Sequence, residues 1–107
     1  MGAPARFLAL WGRPQDPISF ERHYRDVHIP LALKLPGLSR YTLSRNIAPI
    51  RSHDPCYLVA ELDFDDLDSL QAAFQSRAGR DTAADIANLA QYATVESVIY
   101  ELEDLVK

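Results

Sequence analysis

The chain is poor in the residues that do covalent or metal chemistry. Cys56 is its only cysteine, which excludes an internal disulfide and fits a reducing, cytoplasmic setting. Lacking a clear helix N-terminus or basic neighbour to lower its pKa, Cys56 reads as a buried strand residue rather than a nucleophile. Glycines number four, and none stand together in a loop that would cradle phosphate, so nucleotides and flavins have no evident site. Basic charge is scarce too: eleven Lys and Arg against fifteen Asp and Glu give a net charge of -4. A nucleic-acid backbone needs a basic face to displace its counterions, and a membrane surface needs a polybasic patch; the scattered cations here form neither. No apolar run approaches the ~20 residues that span a bilayer. The opening Met-Gly-Ala-Pro-Ala-Arg lacks the apolar core of a secretion signal, and Arg6 stands where myristoylation favours Ser or Thr.

A metal centre is not expected either. His23 and His28 are five residues apart, which turns them far around an α-helix from each other, and His53 lies in a distant loop. Asp63, Asp65, Asp66 and Asp68 lack the glycine and the terminal glutamate of a calcium loop, and Asp65 and Asp66 have a sufficient role as helix caps.

What is present is the pattern of one α+β domain over residues 1–107. Phe7 to Trp11 is a short apolar run stopped by Gly12 and Pro14, a first strand. Asp16 is an N-cap with Pro17 at the first helical position, and Phe20, Tyr24 and Val27 form an amphipathic stripe. Pro30 breaks or kinks that helix, and Leu31 to Leu35 add a further turn before Pro36-Gly37. A second strand is expected from about Leu38 to Asn46 and a third from Cys56 to Phe64, with Leu58, Ala60, Leu62 and Phe64 on one face. Asp65 or Asp66 caps a helix with Leu67, Leu70 and Phe74 on one side. Gly79 interrupts it, and Thr82-Ala-Ala-Asp85 resembles a capping box that opens a further segment with Ile86, Leu89 and Ala93 inward. Val95 to about Leu102 is the last strand. This βαββαβ order gives a ferredoxin-like antiparallel sheet with helices on one face. The first and last strands are apolar on both faces, which a sheet facing water would not be. A second copy of the chain is the natural cover, so a homodimer is expected.

One constellation carries potential chemistry. His28 lies one turn beyond Tyr24 on the same helical face, just before Pro30, and Tyr41 opens the second strand. Unpaired carbonyls and the negative end of the helix dipole would favour a charged imidazole there. Two readings stand for these residues. In one, His28 moves a proton and Tyr41 holds a developing oxyanion; in the other, His28 caps the broken helix and Tyr41 packs with its hydroxyl on the backbone. Phe20 and Tyr24 read as an aromatic wall, and Trp11 as lining either layer. His23 is placed toward solvent or an interface, and Arg40 on the strand side opposite Tyr41. Glu61 and Asp63 are placed at a dimer face or its rim.

The pattern His23-Tyr24-x-x-x-His28-x-Pro30-Leu31, followed by Leu35-Pro36-Gly37-Leu38-x-x-Tyr41, resembles the signature of the EthD family of the dimeric α+β barrel superfamily. Ala60-Glu61-Leu62-x-Phe64-Asp65, Leu70-x-Ala72-Ala73-Phe74-x-Ser76 and Gly79 match its second half. The resemblance implies two ferredoxin-like protomers packed sheet to sheet, with a ligand pocket in each between helices and sheet. Family relatives include an isomerase that uses acid/base chemistry without a cofactor, whose functional histidine and tyrosine correspond to His28 and Tyr41, and fungal dehydratases or decarboxylases. On this basis the expected function is cofactor-independent acid/base catalysis, isomerase- or lyase-like, on a small apolar oxygenated metabolite such as a lactone or keto compound. His28 and Tyr41 would be catalytic, with Tyr24, Phe20 and Trp11 contacting the ligand. The alternative is an accessory protein of a monooxygenase system that binds a small hydrophobic compound; a haem-dependent oxidoreductase is a third reading, since one histidine can ligate iron.

Overall fold

A computed structural model describes residues 2–106; Met1 and Lys107, the ends of the expected domain, lie outside the described residues. Four strands, β1 (Ala5–Trp11), β2 (Arg40–Leu43), β3 (Leu58–Phe64) and β4 (Val95–Glu101), form one antiparallel sheet in the order β2-β3-β1-β4. Helices α1 (Pro17–His23), α2 (Ile29–Ala32), α3 (Leu67–Gln75) and α4 (Arg77–Leu89) connect them, and a π-helical turn at Tyr24–His28 joins α1 to α2. The two crossovers bring β1 and β3 to the centre of the sheet, the ferredoxin-like arrangement expected from the sequence.

Period-two patterning sets the faces. Ala5, Ala9 and Trp11 of β1, with Leu58, Ala60, Leu62 and Phe64 of β3, are buried under the helices, where they meet Phe20, Leu70, Ala73 and Leu89. The register puts Arg6, Leu8 and Leu10 on the opposite face, beside Glu61 and Asp63 of β3 and Val98 and Tyr100 of β4. There Arg6 forks onto Asp63 at 2.7 and 3.0 Å and reaches Glu61 at 2.6 Å. These two acids, which the sequence places at a dimer face or its rim, are thus paired with Arg6 of the same chain.

Local capping follows the sequence in α1, where Asp16 accepts from the Ser19 N–H, and in α3, where Asp66 does the same for Ser69. Other expectations fail. Cys56 is only half-buried and precedes β3 rather than lying in it. Gly79 does not end a helix: α4 starts at Arg77, capped by Ser76, and Gly79 sits in its first turns because a Cβ there would collide with backbone atoms of Ala73 and Phe74. The Thr82–Asp85 segment is therefore mid-helix, with Thr82 and Asp85 buried and the two alanines between them exposed, and is not a cap.

The helix before Pro30 does not break. Its turn widens instead: the N–H of Ile29 donates to the carbonyl of Tyr24, five residues back. Proline has no N–H, and its ring would crowd the carbonyl four residues before it in an α-helix. The wider turn absorbs one residue ahead of Pro30, which then occupies the first turn of α2, where no donor is required.

Candidate active site

The π turn decides which side chains meet. In a regular α-helix, residues five apart point about 140° away from each other. Across a turn bonded from i to i+5 they return to one side, so His23 and His28 both face α4. His28 Nδ1 lies 2.9 Å from Asp85 Oδ2, and His23 Nε2 lies 2.7 Å from Asp85 Oδ1. Asn88, one turn further along α4, donates to Oδ1 at 2.9 Å. His23 is therefore turned onto a buried carboxylate, where the α-helical spacing places it toward solvent or an interface.

Asp85 is the site residue that sequence reasoning missed. Once α4 begins at Arg77, Asp85 falls on the stripe of Gly79, Thr82 and Leu89 that faces inward. A carboxylate on such a stripe demands hydrogen-bond donors, and that demand was the available signal. Burial pulls the Asp85 pKa up, but hydrogen bonds from Asn88, His23 and His28 outweigh it and hold the group below the usual carboxylate range. The anion in turn fixes the His28 ring with Nδ1 as the donor. Burial pushes the His28 pKa down, and this exceeds the upward pull of the Asp85 hydrogen bond. The charged imidazole expected at a broken helix end is thus replaced by a neutral one inside a continuous helical run.

His28 opens onto a cavity of about 270 Å³ between the helices and the sheet. Every buried side-chain nitrogen and oxygen among the described residues has a hydrogen-bond partner. Since Nε2 makes no such bond, it must reach accessible space, and the cavity is the space that His28 lines. Phe7, Ala9, Trp11, Leu62 and Phe74 are among the apolar residues of its wall, and Thr82 and Ser97 also line it. Tyr24 and Tyr41 add two phenols whose oxygens lie 2.8 Å apart. Burial raises the pKa of both, so both keep their protons. When Tyr24 donates to Tyr41, the Tyr41 O–H is free to donate into the cavity.

His28, Tyr41, Tyr24 and Trp11 therefore share one cavity. Phe20 does not line it: its ring stands behind, 5.4 Å from the Trp11 ring and 5.8 Å from that of Tyr24, fixing both. A larger, more open groove of about 750 Å³ lies at the end of β1, lined by Arg13, Asp54, Cys56 and Glu96 among others. Among the described residues, no group of three His, Cys, Asp or Glu side chains is placed to hold a metal ion.

Comparison with known proteins agrees with this architecture. The EthD domain family model matches residues 13–92. An uncharacterized 11.0 kDa protein from the thcB–thcC intergenic region of Rhodococcus erythropolis is 31% identical over 85 residues, 79% of this chain and 82% of the relative. The solved structure of an ethyl tert-butyl ether d (EthD) family protein from Bacillus halodurans superposes with a TM-score of 0.81 at 29% identity, covering 94% of this chain and 99% of the other. More distant in sequence, SnoaB, a cofactor-independent oxygenase from Streptomyces nogalater, superposes with a TM-score of 0.69 at 20% identity over 99% and 100% of the two chains. A dimeric ferredoxin-like protein from Thermobifida fusca gives 0.67 at 20% identity over 95% and 93%. The last two likenesses are likenesses of fold.

Proposed function

Because the chain belongs to the EthD family, and because one histidine and two phenols converge on a single apolar cavity, we propose that it is a cofactor-independent acid/base catalyst. In this reading His28 Nε2 takes a proton from a carbon next to a carbonyl. The electron pair moves onto the carbonyl oxygen, and the Tyr41 O–H, set by Tyr24, holds the resulting enolate. Return of the proton to the same carbon or to a conjugated one completes an exchange or an isomerisation, so atoms and charge balance without a further reactant. Asp85 keeps Nδ1 protonated, which leaves the Nε2 lone pair toward the cavity, as the orienting acid does in other histidine bases.

Size and lining support the proposed ligand class. The volume of about 270 Å³ lies just below the ~300–1,000 Å³ of drug-sized sites, which suits a small lactone or keto compound and is too little for a haem. Chemistry by side chains alone also agrees with the description of the Streptomyces neighbour as a cofactor-independent oxygenase. The protein would act as a homodimer, as the dimeric ferredoxin-like neighbour does, in the cytoplasm; no helix among the described residues is long and apolar enough to cross a membrane. The mostly apolar wall also favours a second reading, an accessory protein of a monooxygenase system that holds a hydrophobic compound and returns it unchanged.

The single observation that carries the proposal is the unbonded Nε2 of a buried histidine beside a largely apolar hollow. Small cyclic ketones and lactones incubated with the protein in deuterium oxide test it, with deuterium at the carbon next to the carbonyl read by NMR. His28→Asn keeps an amide donor for Asp85 and removes the base, so exchange should fall ~100-fold or more. Compounds that bind without exchanging in the wild type support the carrier reading, and undiminished exchange in His28→Asn removes His28 as the base.

A further inference from the structure

His28 and His23 hold the two oxygens of one carboxylate, one histidine at the cavity and the other near the surface. His28, with its side chain 7% exposed, lies at the cavity; His23, at 25%, borders a surface depression of about 310 Å³ shared with Arg22, Asp26 and Tyr92. The reaction proposed above uses His28 and its hold on Asp85, and leaves His23 without a role. A hydrogen bond for Asp85 alone does not require a second histidine, because Asn88 already supplies one to Oδ1.

We infer that Asp85 couples the two imidazoles into one unit that carries a single proton, so that His23 on the outer surface sets the proton affinity of His28 in the cavity. One carboxylate offsets one positive charge. With His23 protonated, a second proton on His28 would meet a carboxylate already paired and a like charge beyond it. With His23 neutral, the carboxylate is available to the His28 imidazolium. A proton taken by His28 from a ligand is therefore favoured by release of one from His23 to water. Asp85 stays ionised throughout, and no proton has to cross it.

Of the charged groups around the two rings, Asp85 is the one bonded to both. Among the charged residues of α4, Asp85 alone bonds to either ring, and the four residues of α2 bring no charge. Tyr24 lies against His28, ring centroids 5.1 Å apart, and its neutral phenol is tied to Tyr41 of β2. Arg22 and Asp26, on the same helical run as His23, carry opposite signs. His23 is thus a positioning residue. That role rests on the proposed reaction, but the coupling itself can be measured with no ligand present.

NMR titration of the ring nitrogens in wild type, His23→Gln and His23→Leu tests the coupling. Gln keeps a neutral donor for Asp85 and Leu removes it; both abolish the outer charge. In both, the titration midpoint of His28 should rise by about one unit or more, while the wild-type donor state of Nδ1 is kept in the Gln variant. An unmoved His28 midpoint in both variants overturns the inference. Deuterium exchange on the same ketones separates this from the catalytic reading. If the midpoint moves but exchange never depended on His28, the coupling stands and the catalytic role falls. If exchange depends on His28 and its acid limb does not shift in His23→Gln, the role of His23 falls instead.

Discussion

His28 is buried beside a carboxylate, and the two surroundings act on its proton affinity in opposite directions, with burial the larger. The consequence for stability has a definite sign. A histidine whose folded pKa lies below the unfolded value of ~6.5 makes the unfolded chain bind more protons in that window. Its contribution is fully present above pH ~6.5 and declines as pH falls from there toward the folded pKa. Asp85, whose folded pKa is also lowered, adds a further loss as pH falls below ~4. We expect the wild-type Tm to drop between pH ~7.5 and ~5.5, and His28→Asn to drop less over the same interval. Thermal scans of both proteins at the two pH values check this, and equal slopes would remove burial of a neutral His28 as the cause. His28 and Tyr41 were legible in the sequence because the proline and the strand start bracket them. Asp85 was not, because Gly79 read as a helix break and made Thr82–Asp85 look like a cap. The contact of His23 with Asp85 was hidden by a helical period that the π turn alters, although a five-residue spacing of histidines just ahead of Pro30 was its visible trace.

The segments that build the site each depend on an irregularity placed beside a regular helix. The π turn lets α1 run into α2 without a break, and it rotates both histidines toward α4. On the other side, α4 must approach the end of α3 closely enough for Asp85 to meet them. Gly79 makes that approach possible. The atoms a Cβ would strike are backbone atoms of Ala73 and Phe74, which cannot swing aside as a flexible side chain would. In an exposed helix, Gly→Ala gains about 1 kcal/mol of propensity, whereas forced overpacking costs about 1–3 kcal/mol and more when backbone must shift. Overpacking should win here. Gly79→Ala is expected to lower Tm by at least ~4 °C in a thermal scan, and a variant as stable as the wild type would show that the α3–α4 junction has slack. Strands were easier to read than these junctions: alternation in β3 marked Leu58, Ala60, Leu62 and Phe64 correctly, because period two requires no knowledge of what packs above it.

Across the molecule, the helices cover one side of the sheet and leave the other open. Leu8 and Leu10 of β1 and Val98 and Tyr100 of β4 lie on that open side, with the Arg6–Glu61–Asp63 cluster between strands β1 and β3. Val98 is 55% exposed, and nearly all of β4 is exposed on both faces. Sequence patterning disclosed that these strands are apolar on both sides, but no periodicity says what lies over the second face. A self-complementary patch is satisfied by a two-fold partner, and a charge at its centre then meets the same charge or an apolar wall on the other copy. Because Val98 makes little use of its own protomer, Val98→Arg should leave the fold intact and act on association alone. Sedimentation should find the wild type at twice the 12.0 kDa chain mass and the variant at the single mass, with unchanged circular dichroism. A wild type that stays monomeric on concentration, or a Val98→Arg variant that still pairs, would mean that this face is covered in some other way or remains in water.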